Sequence, residues 1–215
     1  MDFSSIDPVI LIASLMVSST SILLAATGEL IVEKSGVLNL GVEGMMIIGA
    51  VCGFIICVEF NSPFLGLIGS AIGGALLSMI FAAITQFLRA NQVATGLALT
   101  LFGLGLASLL GHSYTGIKPP YLPKPDIPVL SEIPILGKML FQHDIVVYFS
   151  IFSVIAVWFL FQKTKIGLVI KAVGENQDSA HALGYDVIRT RVIAILLGGA
   201  FAGLAGGYLS LVRVP

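Results

Sequence analysis

Long apolar runs separated by short charged segments dominate the sequence. Six of these runs reach the length of about 20 residues that a helix needs to cross the hydrocarbon core of a bilayer. They fall at about 9–27, 37–58, 64–88, 93–111, 145–162 and 192–212. Only 11% of the 215 residues are charged, whereas a soluble domain carries roughly a quarter. The pattern predicts an all-α, polytopic membrane helix bundle with six spans, formed by one domain over residues 1–215.

The connecting segments differ in their content of basic residues, and this asymmetry predicts an orientation. One set of connections contains Lys34, Arg89, Lys163, Lys165, Lys171, Arg189 and Arg191, and the other contains Lys118, Lys124, Lys138 and Arg213. Because Lys and Arg accumulate in cytoplasmic loops, we expect the richer set inside the cell. The N-terminus and a loop at about 112–144 would then lie outside, and a loop at about 163–191 inside. Six of the nine prolines fall in the outer loop, which excludes a continuous helix there and leaves short interfacial pieces such as residues 133–141.

Small residues recur at four-residue spacing in three of the predicted spans. The glycines concerned are Gly49 and Gly53, Gly69 and Gly73, and Gly199, Gly203 and Gly207. This spacing lets helices approach closely in lipid, where packing replaces the hydrophobic effect as the source of association. Packing within one fold is favoured over a dedicated dimerisation motif, and the glycines by themselves indicate no chemistry.

Residues 33–50 place polar side chains inside an apolar segment. Asn39 and Glu43 are four residues apart, so on one continuous helix they would share a face. An acidic residue at the centre of a membrane helix costs about 2.5–3.5 kcal/mol on insertion scales, so Glu43 requires compensation. A structural role is favoured for it, through Asn39, the nearby backbone, or Gln92 and Thr95; contact with a solute or gating is the alternative. Candidates for lining a pathway are Asn39, Gln92, Thr95 and Thr100.

The most polar internal stretch, residues 163–191, contains signals for a short helix. Asn176 is a favourable N-cap, with Asp178 in the first turn, and Gly184 can end the helix as its left-handed residue. Two turns are too few for a helix to be stable alone, which predicts that it docks on something. Its apolar surface would be Ala180, Ala182 and Leu183, with Glu175, Gln177 and His181 as polar neighbours. A solvated loop is the alternative.

Three segments together resemble a known family. EKSGVLNLGVEGMMIIGA (33–50), ANQVATGLAL (90–99) and KAVGENQDSAHALGYDV (171–187) are similar to permease subunits of ATP-binding cassette (ABC) importers, in the branched-chain amino acid and simple-sugar permease superfamily. Within it the motifs most resemble nucleoside-type permeases that work with basic-membrane-protein-like binding proteins. The resemblance implies that residues 174–184 form the cytoplasmic coupling helix, through Gly174, Glu175, Asn176, Ala180, His181, Leu183 and Gly184. It also implies that Asn39 and Glu43 belong to a motif near the pore.

The function implied by this resemblance is that of a multi-pass permease subunit in a bacterial inner membrane. It would move a small polar solute, a nucleoside or purine-like molecule, by alternating access. The implied partners are ABC ATPase subunits, a second homologous permease, an external solute-binding protein and the lipid bilayer. Sugar or branched-chain amino acid permeases of the same superfamily are the alternative within that class.

Motifs that the sequence lacks bear on the function as well. No stretch of the sequence fits G-x-x-x-x-G-K-[ST], so the chain has no phosphate-binding loop of that kind. With no HExxH, CxxC or GxSxG either, we expect a transporter subunit rather than an enzyme, with no cofactor of its own and ATP bound by a partner. No Lys/Arg cluster suggests nucleic acid.

Two further classes of function remain as alternatives. An ion-coupled secondary transporter would need no ATPase, but it predicts several functional ionisable residues inside the membrane. A non-transporting membrane scaffold would leave the short cytoplasmic helix without a role.

Members of the resembled family continue beyond the position equivalent to Pro215, with further spans. The resemblance therefore implies a C-terminally truncated chain: a fragment, a truncated reading frame or a reduced permease.

Overall fold

The computed structural model describes residues 8–123 and 143–213, and the residues it describes form a helix bundle. The long helices are α1 (Pro8–Lys34), α2 (Val42–Glu59), α3 (Pro63–Ala82), α4 (Gln92–Gly111), α5 (Ile145–Lys163) and α8 (Val187–Tyr208); the short helices α6 (Lys165–Glu175) and α7 (Gln177–Ala182) lie between α5 and α8. π-Helical turns extend α3 over Ala83–Phe87 and α8 over Leu209–Arg213, and a 3-10 turn, His112–Tyr114, follows α4. Among the described residues, six helices are long and apolar enough to cross a membrane, so the all-α, six-span architecture is confirmed.

The boundary between the first two spans differs from the prediction. α1 continues through Glu29 to Lys34 instead of ending near residue 27, and α2 begins at Val42 instead of residue 37. The intervening residues 35–41, which we name the hinge loop, are not helical. Gly36 adopts a φ of 80°, a left-handed conformation that glycine reaches without steric cost. Hydropathy alone underestimated α1 because two glutamates fall in its last turns.

α2, α3 and α8 pack with their backbones in direct contact. A Cβ atom added to Gly203 would overlap the carbonyl oxygen of Ser70, and one added to Gly74 would overlap that of Gly199. Gly49 faces Gly203 in the same manner. The predicted role of the small residues in packing within one fold is thereby confirmed. α1 packs on the other side of α8, α4 on α2, and α5 on α1.

The hinge loop, the turn at residues 88–91 and the α6–α7 segment lie at one end of the bundle. Gly36 approaches Gly174, and the Leu38 amide donates a hydrogen bond to Gln92 Oε1. At the opposite end, the hydroxyl of Tyr114 donates to Glu59 Oε1 over 2.7 Å. The basic residues of the richer set occur in or beside the first end, as the sequence predicted, and which side of a membrane that end faces stays a prediction. The proposed interfacial piece at residues 133–141 lies outside the described residues.

Helix α6 was missed by the sequence analysis, which treated residues 163–191 as a loop with one short helix. Thr164 caps α6, its hydroxyl oxygen accepting from the Gly167 amide at 3.1 Å. The helix buries Gly167, Ile170 and Val173, which recur at the spacing of one helix face. That periodicity, together with the threonine cap, was the available signal.

Candidate functional site

The capping of α7 follows the sequence prediction. Asn176 Oδ1 accepts hydrogen bonds from the amides of Asp178 at 3.1 Å and Ser179 at 3.0 Å. Gly184 adopts a φ of 87°, and its amide donates to the carbonyl of His181. The amide of Tyr185 then donates to the Ala180 carbonyl at 3.1 Å, which completes a Schellman-type end. Asn176 and Gly184 therefore fix where this short helix begins and ends.

The apolar surface of α7 differs from the one that the sequence predicted. Ala180 is buried, with 2% of its surface exposed, whereas Leu183 is 75% exposed. These two side chains therefore do not form one exposed patch. The Ala180 side chain is covered by the rest of the protein. Leu183 lies at the surface together with Tyr185, which is 44% exposed. Ala182 is exposed as predicted, and the predicted polar neighbours Glu175, Gln177 and His181 are exposed as well.

Asn39 organises the hinge loop rather than a helix. Its Oδ1 accepts from the Gly41 amide at 3.0 Å, and its Nδ2 points to the sulfur of Met45 at 3.5 Å. Its own backbone amide donates to Glu29 Oε1 at 3.3 Å. Asn39 is 3% exposed, so these contacts replace the water that its polar groups would otherwise bind.

Glu29 is a residue of this site that the sequence analysis did not single out. Its half-buried carboxylate lies beside Asn39, although the two are ten residues apart. The signal was present, because a carboxylate in the last turns of a membrane helix is expected to find a donor. It went unused because the first span was ended too early, before Glu29.

Two predicted pathway residues hold the hinge loop against α4. Gln92 Oε1 accepts from the Leu38 amide at 2.8 Å, and Thr100 Oγ1 donates to the Leu40 carbonyl at 3.3 Å. Gly96 permits this approach, since a Cβ atom there would lie 2.9 Å from the Leu40 backbone. The structure therefore brings Asn39, Gln92 and Thr100 together around one loop.

Thr95 lies apart from that cluster. Its hydroxyl donates to the carbonyl of Asn91 at 2.8 Å, a bond within its own helix turn. Its side chain contributes to an open apolar groove formed with Ile80, Ile84 and Phe102. Of the predicted pathway residues, Thr95 does not contact the hinge loop.

Glu43 is placed differently from its prediction. It lies in the first turn of α2, whereas Asn39 precedes that helix, so the prediction that the two share a helix face is wrong. The turn at the hinge loop separates them. The Glu43 side chain is exposed and borders an open groove with Met46, Gly206 and Leu209. A carboxylate in a first turn is stabilised by the positive end of the helix dipole, and this position at the start of α2 is not the helix centre for which the cost was predicted.

Comparison with known proteins places the sequence in a family. The sequence profile described as branched-chain amino acid transport system / permease component matches residues 11–214. A putative glucose ABC transporter permease of Haloferax volcanii is 39% identical over 199 residues, which cover 90% of this chain and 60% of that protein. A guanosine ABC transporter permease of Bacillus subtilis is 36% identical over 213 residues, 92% of this chain and 66% of that protein.

A third relative is also a transporter permease. A nucleoside ABC transporter permease of Lactococcus lactis is 31% identical over 211 residues, again 92% of this chain and 66% of that protein. No solved structure matches the chain. The chain thus spans 60% to 66% of the lengths of these three relatives.

Proposed function

Since the chain belongs to the family of branched-chain amino acid transport system permease components, we propose that it is the membrane-spanning permease subunit of an ABC importer. The observation that carries the proposal is α7, a helix of six residues with a cap at each end. So short a helix is marginal by itself, and the exposed Leu183 beside it suits a protein partner. The basic residues around α7 favour a cytoplasmic position, where ATP is available.

The proposed mechanism is alternating access driven by ATP bound on another polypeptide. An ATPase subunit would dock on the surface of Leu183 and Tyr185, and its closure would displace α7. A differential docking energy of a few kcal/mol is enough to shift a two-state equilibrium strongly. A second homologous permease subunit and an external solute-binding protein would complete the importer, located in a bacterial inner membrane.

The residues proposed to form the pathway wall are Asn39, Gln92 and Thr100, with Glu43 and Thr95 at its margins. The first three are engaged in hydrogen bonds with the hinge loop or their own helices. They would therefore shape the wall rather than bind the solute through free polar groups. Glu43, an exposed residue that borders an apolar groove, is the side chain better placed to meet a polar solute.

We propose a nucleoside as the solute because two of the relatives, at 36% and 31% identity, are named for guanosine and nucleoside transport. Glucose is the second candidate, favoured by the relative at 39% identity. Uptake of radiolabelled guanosine and of radiolabelled glucose, in cells expressing the chain with its importer subunits, distinguishes the two. Uptake that survives inactivation of the ATPase but is abolished by an ionophore would overturn the proposal in favour of an ion-coupled transporter.

The docking surface is tested by Leu183→Glu. We expect this change to reduce co-purification of the ATPase subunit by about tenfold, because it puts a charge into an apolar contact, where an unpaired charge is expensive. Tyr121→Glu is the matched control, since Tyr121 is 82% exposed at the other end of the bundle. Equal recovery of the ATPase with both variants would contradict docking at Leu183.

A further inference from the structure

The hinge loop and the end of α6 are in backbone contact through two glycines. A Cβ atom added to Gly174 would overlap the carbonyl oxygen of Lys34 and lie 3.0 Å from the Gly36 amide nitrogen. One added to Gly36 would lie 3.0 Å from Gly174 Cα and 3.2 Å from the Gly174 carbonyl oxygen. A larger residue at Gly174 would therefore push the two segments apart, whereas one at Gly36, which is exposed, would require its neighbours to move slightly and would be strained by the positive φ.

A third element fastens the same contact. Arg191, in the first turns of α8, donates from Nε to the carbonyl oxygen of Ser35 at 3.2 Å. That carbonyl belongs to the residue directly before Gly36. Ser35 and the neighbouring Val173 are both fully buried, so little solvent separates the three elements. We name this arrangement of Gly36, Gly174 and Arg191 the glycine joint.

The glycine joint lies between α7 and the start of α4. Asn176 alone separates α6 from α7, and its amide is bonded to the Ala172 carbonyl at 3.0 Å. On the other side, the hinge loop is bonded through the Leu38 amide to Gln92 at 2.8 Å. A short series of close contacts therefore connects α7 to the start of α4, although the two helices are far apart in the sequence.

We propose that the glycine joint transmits displacement of α7 to the hinge loop, with Gly36, Gly174 and Arg191 acting as positioning residues. A contact made by backbone atoms has no side-chain rotamers to absorb a shift, so α7 and the loop move as one body. The transport consequence rests on the proposed function, whereas the mechanical connection does not. The two sequence segments at 33–50 and 171–187 thereby work as one unit.

The connection is tested on the full chain in lipid nanodiscs by the distance between two spin labels. Labels at the exposed positions Ser179 and Leu38, with Cys52 and Cys57 replaced by alanine, should give one narrow distance distribution. Gly174→Ala should shift or broaden it by about 1 Å or more, the movement needed to relieve the overlap with the Lys34 carbonyl. Gly105→Ala is the matched control, because it also adds a methyl group within a helix but no described atom outside the neighbouring helix backbone lies within 4 Å of it. An unchanged distribution in Gly174→Ala overturns the proposal.

A second comparison measures transport and separates the two hypotheses. Gly36→Ala and Gly116→Ala place a side chain at similar φ values, 80° and 84°, but among the described residues no atom lies within 4 Å of a Cβ at Gly116. In the assembled importer, we expect Gly36→Ala to keep the ATPase bound and to lower transport per ATP by about tenfold, with Gly116→Ala near the unsubstituted level. Equal transport in both overturns the proposal.

Controls for folding and for the proposed function follow from the same assays. Arg191→Lys keeps the charge but loses the Nε donor, and it should broaden the distance distribution without changing the yield of folded protein. A distribution as narrow as that of the unsubstituted chain would count against the joint. If the unsubstituted chain binds no ATPase, the proposed function fails, and the spin-label distances still decide whether the joint connects α7 to the hinge loop.

Discussion

Asn39 shows how one buried side chain can define a break between two membrane helices. Its Oδ1 satisfies the Gly41 amide at the start of α2, and its own amide is satisfied by Glu29 from the end of α1. Each bond provides a partner for a polar group that would otherwise be buried without one. Removing one partner of such a bond costs about 1–3 kcal/mol, more than the bond contributes when both partners are present.

Asn39→Leu should therefore lower the free energy of unfolding by about 1–3 kcal/mol. Asn39→Ser should be milder, because a serine hydroxyl can accept from the amide two residues ahead in a similar turn. Denaturant titration of the purified chain in mixed micelles measures both. Equal losses in the two variants would show that the hydrogen bond to Gly41 is unimportant.

Sequence reasoning at this scale succeeded where the chemistry is local. The Asn176 cap and the Gly184 stop involve residues within one helix turn of each other, so they could be predicted from spacing. The Asn39–Glu29 contact crosses a helix break, and the Leu38–Gln92 contact joins residues 54 positions apart. Asn39 and Gln92 could be selected as polar residues in apolar surroundings, but their partners depend on the packing of α1, α2 and α4.

At the scale of the element, α7 depends on its caps more than a long helix would. Its six residues leave most of the amide groups near its start without an acceptor in the helix, and Asn176 serves two of them. Replacing an N-cap asparagine by alanine costs about 1 kcal/mol. Because α7 is so short, that cost lowers the stability of the whole helix.

Asn176→Ala should accordingly raise amide exchange at Asp178 and Ser179 by about fivefold, the factor that corresponds to roughly 1 kcal/mol. Asn176→Ser retains a capping oxygen and should exchange nearly as slowly as the unsubstituted chain. Hydrogen–deuterium exchange with mass spectrometry resolves peptides over residues 174–184. Unchanged exchange in Asn176→Ala would mean that packing, not the cap, holds α7.

The contact between α3 and α8 is the other element-scale feature open to a decisive test. Gly203→Ala would press a methyl group against the Ser70 carbonyl and Gly74, and such overpacking costs about 1–3 kcal/mol or more. Gly105→Ala, on the open side of α4, should be neutral or stabilising by up to about 1 kcal/mol because alanine favours helix. Denaturant titrations should therefore give a clearly lower free energy of unfolding for Gly203→Ala than for Gly105→Ala. Similar values would contradict tight packing at Gly203.

For the whole molecule, the six spans and their order could be predicted from hydropathy because a span leaves its signature in every residue along it. The ends of the spans could not, since α1 carries Glu29 and Glu33 within its last turns. Helix α6 was missed for a related reason: it is amphipathic rather than uniformly apolar, and its buried face is formed by packing against α1, α5 and α8. The sequence contained the helical period of α6 and the carboxylate of Glu29, but not the partners that long-range packing brings to them.

Orientation is the property on which the whole proposed mechanism depends. Gln177 and Tyr121 are exposed at opposite ends of the bundle, and α5 is the one long helix between them in the part of the chain that the structure describes. In a chain without Cys52 and Cys57, a membrane-impermeant maleimide should label Gln177→Cys only from the cytoplasmic side and Tyr121→Cys only from outside. The physical reason is the concentration of Lys and Arg around α7.

The pattern of labelling separates two distinct errors. Labelling of both cysteines from one side would contradict a single crossing by α5 between them. Labelling at opposite sides but in the reverse sense would keep the six-span bundle and place α7 outside the cell. An ATPase could not reach the surface of Leu183 and Tyr185 in that case, so the coupling role of α7 would be excluded even though its caps, its contacts and the glycine joint remained as they are.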